Sequence, residues 1–269
     1  MKYMSFNSSC TLTAVANMLE LLDINDVTDR ELAKRLNLPY IFRYKENQFC
    51  AGAMNQNASI YNYYLKEMGF EFVEEELDVI NLLPYLKLHP ISMLGIKSES
   101  GKHAVVFLKQ EADELVFLNP HYENDGKEDF LQIKTNQLSK LLEKKIMVGR
   151  IQKCHSQKMK VDFEASLEGL DIYLKEFDAF CSKPRTKYEI KERRDALFRA
   201  FAIDLIPMME ILKENTLLSL LTKFQQAIFK LIRIETETIP YDIVSKDLVE
   251  KIIDEYKRII TIKLKGEKI

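Results

Sequence analysis

The sequence predicts an α+β part followed by an all-α helical part, joined near residues 151–162. Three observations lead there. Up to residue 88 the apolar residues recur mainly at three- and four-residue spacing. Between Pro90 and Asn119 they switch to period-two runs rich in Val, Ile and Phe. From Phe163 onward helical spacing returns and holds to the end. A block of helices followed by a block of strands is the α+β pattern, with an antiparallel sheet. A chain of 269 residues has room for two domains, placed at 1–153 and 154–269. With only 8 Gly and 7 Pro, most of the chain is expected in regular structure.

Each element has a local reason. Ser9 to Leu22 reads as a helix, because Thr11, Leu12, Val15, Met18, Leu19 and Leu22 share one face. Thr28 with Glu31 three residues later is a capping box, which starts a second helix running to Leu36 before Pro39. Ser59 to Met68 is a third helix, stopped by Gly69 at the C′ position. Ile80 to Leu88 is a short fourth. Pro90 to Lys97, His103 to Gln110 and Leu115 to Asn119 are strands. The turns between them fall at Ser98–Lys102 and Glu111–Glu114, which makes an antiparallel meander. Cys154 to Val161 is a polar connector without an apolar face. Four amphipathic helices follow at 163–182, 186–205, 207–234 and 242–262, with Pro184, Pro207 and Pro240 near their starts. Stripes such as Phe163, Leu167, Leu170, Leu174 and Phe177 read as core packing.

Charge and composition exclude several classes. The 39 Lys+Arg against 41 Asp+Glu give a net charge of -2, so nucleic acid is not an expected partner. No run approaches the ~18 apolar residues of a membrane span. The start MKYMSFNSSC is polar by position 7, unlike a secretory leader. A cytoplasmic chain with reduced thiols is the expectation. The 4 Cys include no C-x-x-C pair, and no H-E-x-x-H occurs, so neither disulfides nor a metal are expected. With no G-x-G-x-x-G and no phosphate loop, no cofactor is expected either. The basic stretch Lys183 to Arg199 is interleaved with Glu189 and Glu192 at helical spacing, which is the pattern of a solvated, salt-bridged face.

One constellation carries chemistry. Cys10 opens the first helix, where unpaired N–H groups and the helix dipole favour thiolate over thiol. His103 opens a strand and Asn119 ends the next, sixteen residues later, so a hairpin can bring both side chains to one end of the sheet. An imidazole beside the thiol serves as general base, and a carboxamide oxygen fixes its tautomer. The Cys10 N–H can stabilise an oxyanion. The order Cys, His, Asn is the papain-like order. SFNSSCTLTAVANMLELLDI resembles the nucleophile helix of papain-like C39-type peptidase domains. PISMLGIKSESGKHAVVFLKQEADELVFLNP is similar to their paired strands. The resemblance covers roughly residues 1–150, and a helical extension behind such a domain is similar to the butirosin biosynthesis protein H, N-terminal family, which carries out acyl transfer from carrier-protein thioesters. It implies a papain-like fold with Cys10 as nucleophile, His103 as base and Asn119 as its orienting residue.

The pattern departs from that family at two places. Met4 stands where the family carries a Gln as side-chain oxyanion donor, and Asn7 is the nearest amide. Thr11-Leu12 replaces the usual Gly-Pro. Gln56 and Asn57, in the polar loop NQFCAGAMNQN around Cys50, are candidates to line the substrate pocket, as is His121. The leading expectation is a cysteine-dependent acyl-transfer enzyme (peptidase, amidase, thioesterase or acyltransferase). Its substrate would be a peptide or small-molecule amide or thioester, either free or bound to a carrier protein. The alternative is a non-catalytic binding or regulatory module whose helical domain holds a partner.

Overall fold

The computed structural model of the protein describes all residues except 8, 46, 99–100, 234–239 and 267–269. Ser8, part of the 98–102 turn and the end of the expected 207–234 helix therefore lie outside the described residues. The chain combines helices with an antiparallel sheet and has a helical C-terminal region. It divides into two compact units, one formed by 1–36 and 56–160, the other by 37–55 and 161–269.

The first unit opens with α1 (Cys10–Leu21), α2 (Asp29–Arg35), α3 (Ala58–Leu65) and α4 (Val79–Leu88). The capping box at Thr28 and Glu31 is formed as expected. The sheet contains β3 (Phe70–Asp78), β4 (Ser92–Ser98), β5 (Gly101–Glu111), β6 (Glu114–Leu118), β7 (Phe130–Lys134) and β8 (Lys145–Lys153), and a short α5 (Thr135–Leu138) follows β7. Its order is β3-β8-β4-β5-β6-β7, and every pairing is antiparallel. β4, β5 and β6 are the expected meander. β3, β7 and β8 are additions that the apolar pattern does not reveal. In β3 the run Glu74–Glu76 masks the alternation, which is compatible with a strand at the sheet edge. Two further strands, β1 (Phe42–Lys45) and β2 (Gln48–Ala51), belong to the second unit.

One sheet face buries Leu94, Ile96, Val105, Phe107, Leu115, Phe117, Ile146 and Val148 against Leu82 and Leu86 of α4 and Leu138 of α5. α1 packs on β5 and β4, and α3 on β3, where Tyr61 meets Phe72 edge-on at 5.2 Å. Leu12, Val15, Met18 and Leu19 of α1 are fully buried, each contributing about 1.5–3 kcal/mol of transfer free energy. The residues before α1 are pinned too. Asn17 accepts from the Lys2 N–H at 2.7 Å and donates to the Lys2 carbonyl at 3.0 Å. The Met4 N–H reaches the His121 carbonyl at 2.8 Å, and the buried Asp29 accepts from the Ser5 N–H and hydroxyl. These bonds fix where Cys10 begins its helix.

The second unit contains the β1–β2 hairpin and the helices α6 (Phe163–Cys181), α7 (Lys187–Arg193), α8 (Ile206–Leu212), α9 (Asn215–Arg233) and α10 (Lys246–Gly266). The expected boundary at 153/154 shifts in two ways. The connector 154–160 stays with the first unit, through Cys154 N–H to the Gly69 carbonyl at 2.9 Å and Gln157 N–H to the Lys66 carbonyl at 2.9 Å. Residues 37–55 join the helices, because Phe42 and Phe49 enter their aromatic core with Tyr173, Phe201 and Tyr256. Gly169 of α6 makes that contact possible, since a Cβ there would lie 2.8 Å from the Phe42 carbonyl oxygen. The expected helix 186–205 is α7 continued by π-helical turns to Asp204. The expected 207–234 helix is broken into α8 and α9 where Lys213 takes a left-handed φ of 58°. Among the described residues, no helix is long and apolar enough to cross a membrane.

Candidate functional site

α1 begins at Cys10, with Ser9 in the N-cap position. Ser9 has φ -91° and ψ 8° rather than the extended conformation of a capping serine, and its side chain makes no cap bond. The cap comes instead from 44 residues along the chain. Gln56 Oε1 accepts from the Leu12 N–H at 2.7 Å. No acidic residue occupies the first turn, so the positive end of the helix dipole is left to act on the thiol.

His103 lies on β5 and Asn119 directly follows β6, two strands whose pairing carries a register shift. At the turn end, β5 and β6 pair as Glu111 with Glu114 and Lys109 with Val116. Beyond Leu108 the pairing becomes Phe107 with Phe117 and Val106 with Leu118. The extra residue is a β-bulge.

The contact itself is a hydrogen bond between His103 Nε2 and Asn119 Oδ1 at 2.8 Å. The Asn119 amide is oriented by its other end, which donates from Nδ2 to the Glu128 carbonyl at 2.7 Å. Oδ1 is therefore the acceptor, and His103 carries its proton on Nε2. That leaves Nδ1 as the ring nitrogen that Asn119 does not engage. Asn119 is itself only 4% exposed, and its N–H donates to the Asp129 carbonyl at 2.9 Å.

The electrostatics of Cys10 and His103 are reciprocal. Partial burial works against a Cys10 thiolate, yet the thiol is held below its ordinary value. The hydrogen bond with His103, the Ala104 N–H, the His103 charge and the Thr11 hydroxyl together outweigh burial. Burial likewise works against the imidazolium, and the bonds to Cys10 and Asn119 with the Cys10 charge raise His103 above its ordinary value. The two shifts, Cys10 down and His103 up, are the directions that favour a thiolate beside an imidazolium.

The other candidates separate. Asn7 is exposed, and its Oδ1 accepts from the Tyr122 hydroxyl at 3.0 Å. Asn57 is the N-cap of α3, taking the Ile60 N–H at 3.2 Å and the Ser59 hydroxyl at 2.6 Å on Oδ1. Neighbouring carboxamides, Gln56 and Asn57, therefore cap two different helices. His121 is 2% exposed and faces acceptors on both ring nitrogens, with Asp125 at 2.9 Å from Nδ1 and Asp129 at 3.1 Å from Nε2. Through those contacts it ties together the loop whose Glu128 and Asp129 carbonyls orient Asn119. Cys50 lies on β2 in the second unit, not in a loop. The contributions of Ala104, Glu128 and Gln56 have no sequence signature, because they act through backbone groups or across long separations. No cluster of three or more His, Cys, Asp or Glu fit to hold a metal occurs among the described residues. Neither a family model nor a curated protein matches the chain.

Proposed function

We propose that the first unit is a papain-like, C39-type domain and that the chain is a cysteine-dependent acyl-transfer enzyme. The observation that carries this reading is the His103–Asn119 bond at 2.8 Å, on the histidine that lowers the Cys10 thiol. The Cys10 sulfur attacks the carbonyl carbon of a peptide or small-molecule amide or thioester, and the carbonyl π electrons move onto oxygen. As the tetrahedral intermediate collapses, the C–N or C–S bond breaks, and His103 delivers its Nδ1 proton to the leaving amine or thiol. The acyl group then sits on Cys10 as a thioester. Water or an amine, deprotonated by His103, attacks it and restores the thiolate. Asn119 keeps Nε2 protonated throughout, so that Nδ1 faces the sulfur in each step.

The test uses p-nitrophenyl acetate as acyl donor and intact-mass analysis of the full chain. A single acetyl adduct is expected on Cys10, absent in Cys10→Ser, with one fast iodoacetamide adduct on the same residue. Equal slow alkylation of all four cysteines and no acetyl adduct would leave the domain as a non-catalytic binding module.

A further inference from the structure

The Glu128 carbonyl that orients Asn119 stands in an exposed stretch. Residues 122–128 are exposed and lie between β6 and β7, outside any helix or strand. A carbonyl on such a loop has no ladder to hold it in place. Yet the Asn119 Nδ2 donates to it at 2.7 Å, and the Asn119 N–H donates to the Asp129 carbonyl at 2.9 Å. Some contact has to hold the returning limb of the loop at that position.

His121 supplies it. The residue is 2% exposed and sits on the limb that leaves Asn119. Its Nε2 lies 3.1 Å from Asp129 Oδ1 on the returning limb, so Asp129 gives its carbonyl to Asn119 and its carboxylate to His121. Its Nδ1 lies 2.7 Å from the Tyr122 carbonyl and 2.9 Å from Asp125 Oδ1. All three are acceptors, so the ring acts here as a donor. Asp125 passes the tie on, since its Oδ1 takes the Lys127 N–H at 3.1 Å and its Oδ2 the Tyr122 N–H at 3.3 Å. His121 is also anchored to the segment that leads into α1. Its carbonyl accepts from the Met4 N–H at 2.8 Å, and Tyr3 meets its ring edge-on at 5.5 Å. The ring thus joins both limbs of the loop and is fixed from outside it.

We infer that His121 is a positioning residue for acyl transfer, which acts through Asn119 on the tautomer of His103. The inference rests on the acyl-transfer reading above. With the loop tied, Asn119 presents Oδ1 to His103 and keeps the proton on Nε2. With the tie cut, the Glu128 carbonyl no longer selects one amide orientation. A carboxamide turned over presents Nδ2, a donor, to Nε2. That holds the neutral imidazole with its proton on Nδ1, where it cannot take the proton of the thiol.

A double-mutant cycle on the full chain tests this, with p-nitrophenyl acetate as acyl donor. His121→Ala is expected to slow acylation of Cys10 about 10–100-fold. In Asn119→Ala the same substitution is expected to change the rate by no more than about threefold, because the route through the amide is already cut. Nitrogen-15 spectra of labelled histidine read the cause. They are taken in Cys10→Ala at alkaline pH, so that no thiolate biases the ring. There His103 is expected to carry its proton on Nε2, and adding His121→Ala is expected to bring in the Nδ1 form. If His121→Ala does not fold by circular dichroism, Asp129→Ala takes its place in both measurements. It removes the partner of Nε2 at a side chain 43% exposed and keeps the carbonyl. An equal loss in both backgrounds, or an unchanged tautomer, would overturn the inference and leave His121 as a structural clasp. A wild-type chain that iodoacetamide alkylates at Cys10 but that never acylates would overturn the acyl-transfer reading, and this inference with it.

Discussion

Cys10 is the first residue of a helix and Cys181 the last of another, and their thiols are shifted in opposite directions. Cys181 is 2% exposed, and burial pushes its thiol up to about 12, with the Asp178 charge adding to the effect. Burial acts on Cys10 in the same sense, but there a histidine, a backbone N–H and a hydroxyl overturn it. The helix dipole adds to the contrast, since its positive end favours a thiolate and its negative end opposes one. Burial alone therefore makes a cysteine inert. What separates a reactive thiol from a packing thiol is the set of donors around the sulfur.

The comparison can be broken most sharply at His103. His103→Ala removes the largest influence that lowers the Cys10 thiol and leaves burial in place. Acylation by p-nitrophenyl acetate near neutral pH is expected to fall about 100–10000-fold. The alkylation profile gives the sign. Because the folded thiol lies below its ordinary value of 9.0, the wild-type rate is expected to rise to its plateau below that pH. In His103→Ala the midpoint should move upward, toward the behaviour of Cys181. An unchanged midpoint would show that the helix end, not the imidazole, sets the thiol.

A smaller effect is expected from Asn119→Ala. The imidazole stays, but its tautomer and ring angle are no longer held, and misplacement of this kind costs up to about 100-fold. Steady-state acylation kinetics should show the loss in turnover, with alkylation at high pH close to wild type. The smallest effect is at the other thiol. Cys181→Ala deletes one buried sulfur, at about 1 kcal/mol by urea unfolding, and should leave the Cys10 adduct rate untouched. A change in that rate would mean that the two thiols are not independent.

The same contrast shows how much of the fold and of the site is legible in the chain's own residues. The helix start at Cys10, the capping box at Thr28 and the β4–β5–β6 meander follow from local spacing and composition, so the sequence displays them. The hairpin 42–51 does not show itself, because four-residue strands are too short to establish a period. β3 is hidden by its glutamates. Cys10, His103 and Asn119 can be read as an ordered set. Gln56, Asn57 and His121 can be seen as polar residues in suggestive places, but not as two helix caps and a loop clasp.

Local sequence sets the element types over most of the chain, the low net charge and the order of the three chemical groups, since each depends on composition or on neighbours within a few positions. Folding in three dimensions sets the rest. It inserts Leu108 as the extra residue between β5 and β6, because a bulge is a property of two strands together, and it brings Asn119 within hydrogen-bond reach of His103. It also brings the Gln56 carboxamide to the start of α1 and sets His103 and Ala104 where they lower the Cys10 thiol. These contacts join residues far apart in the chain. Their energies are fixed by packing and hydrogen-bond geometry that no local spacing encodes.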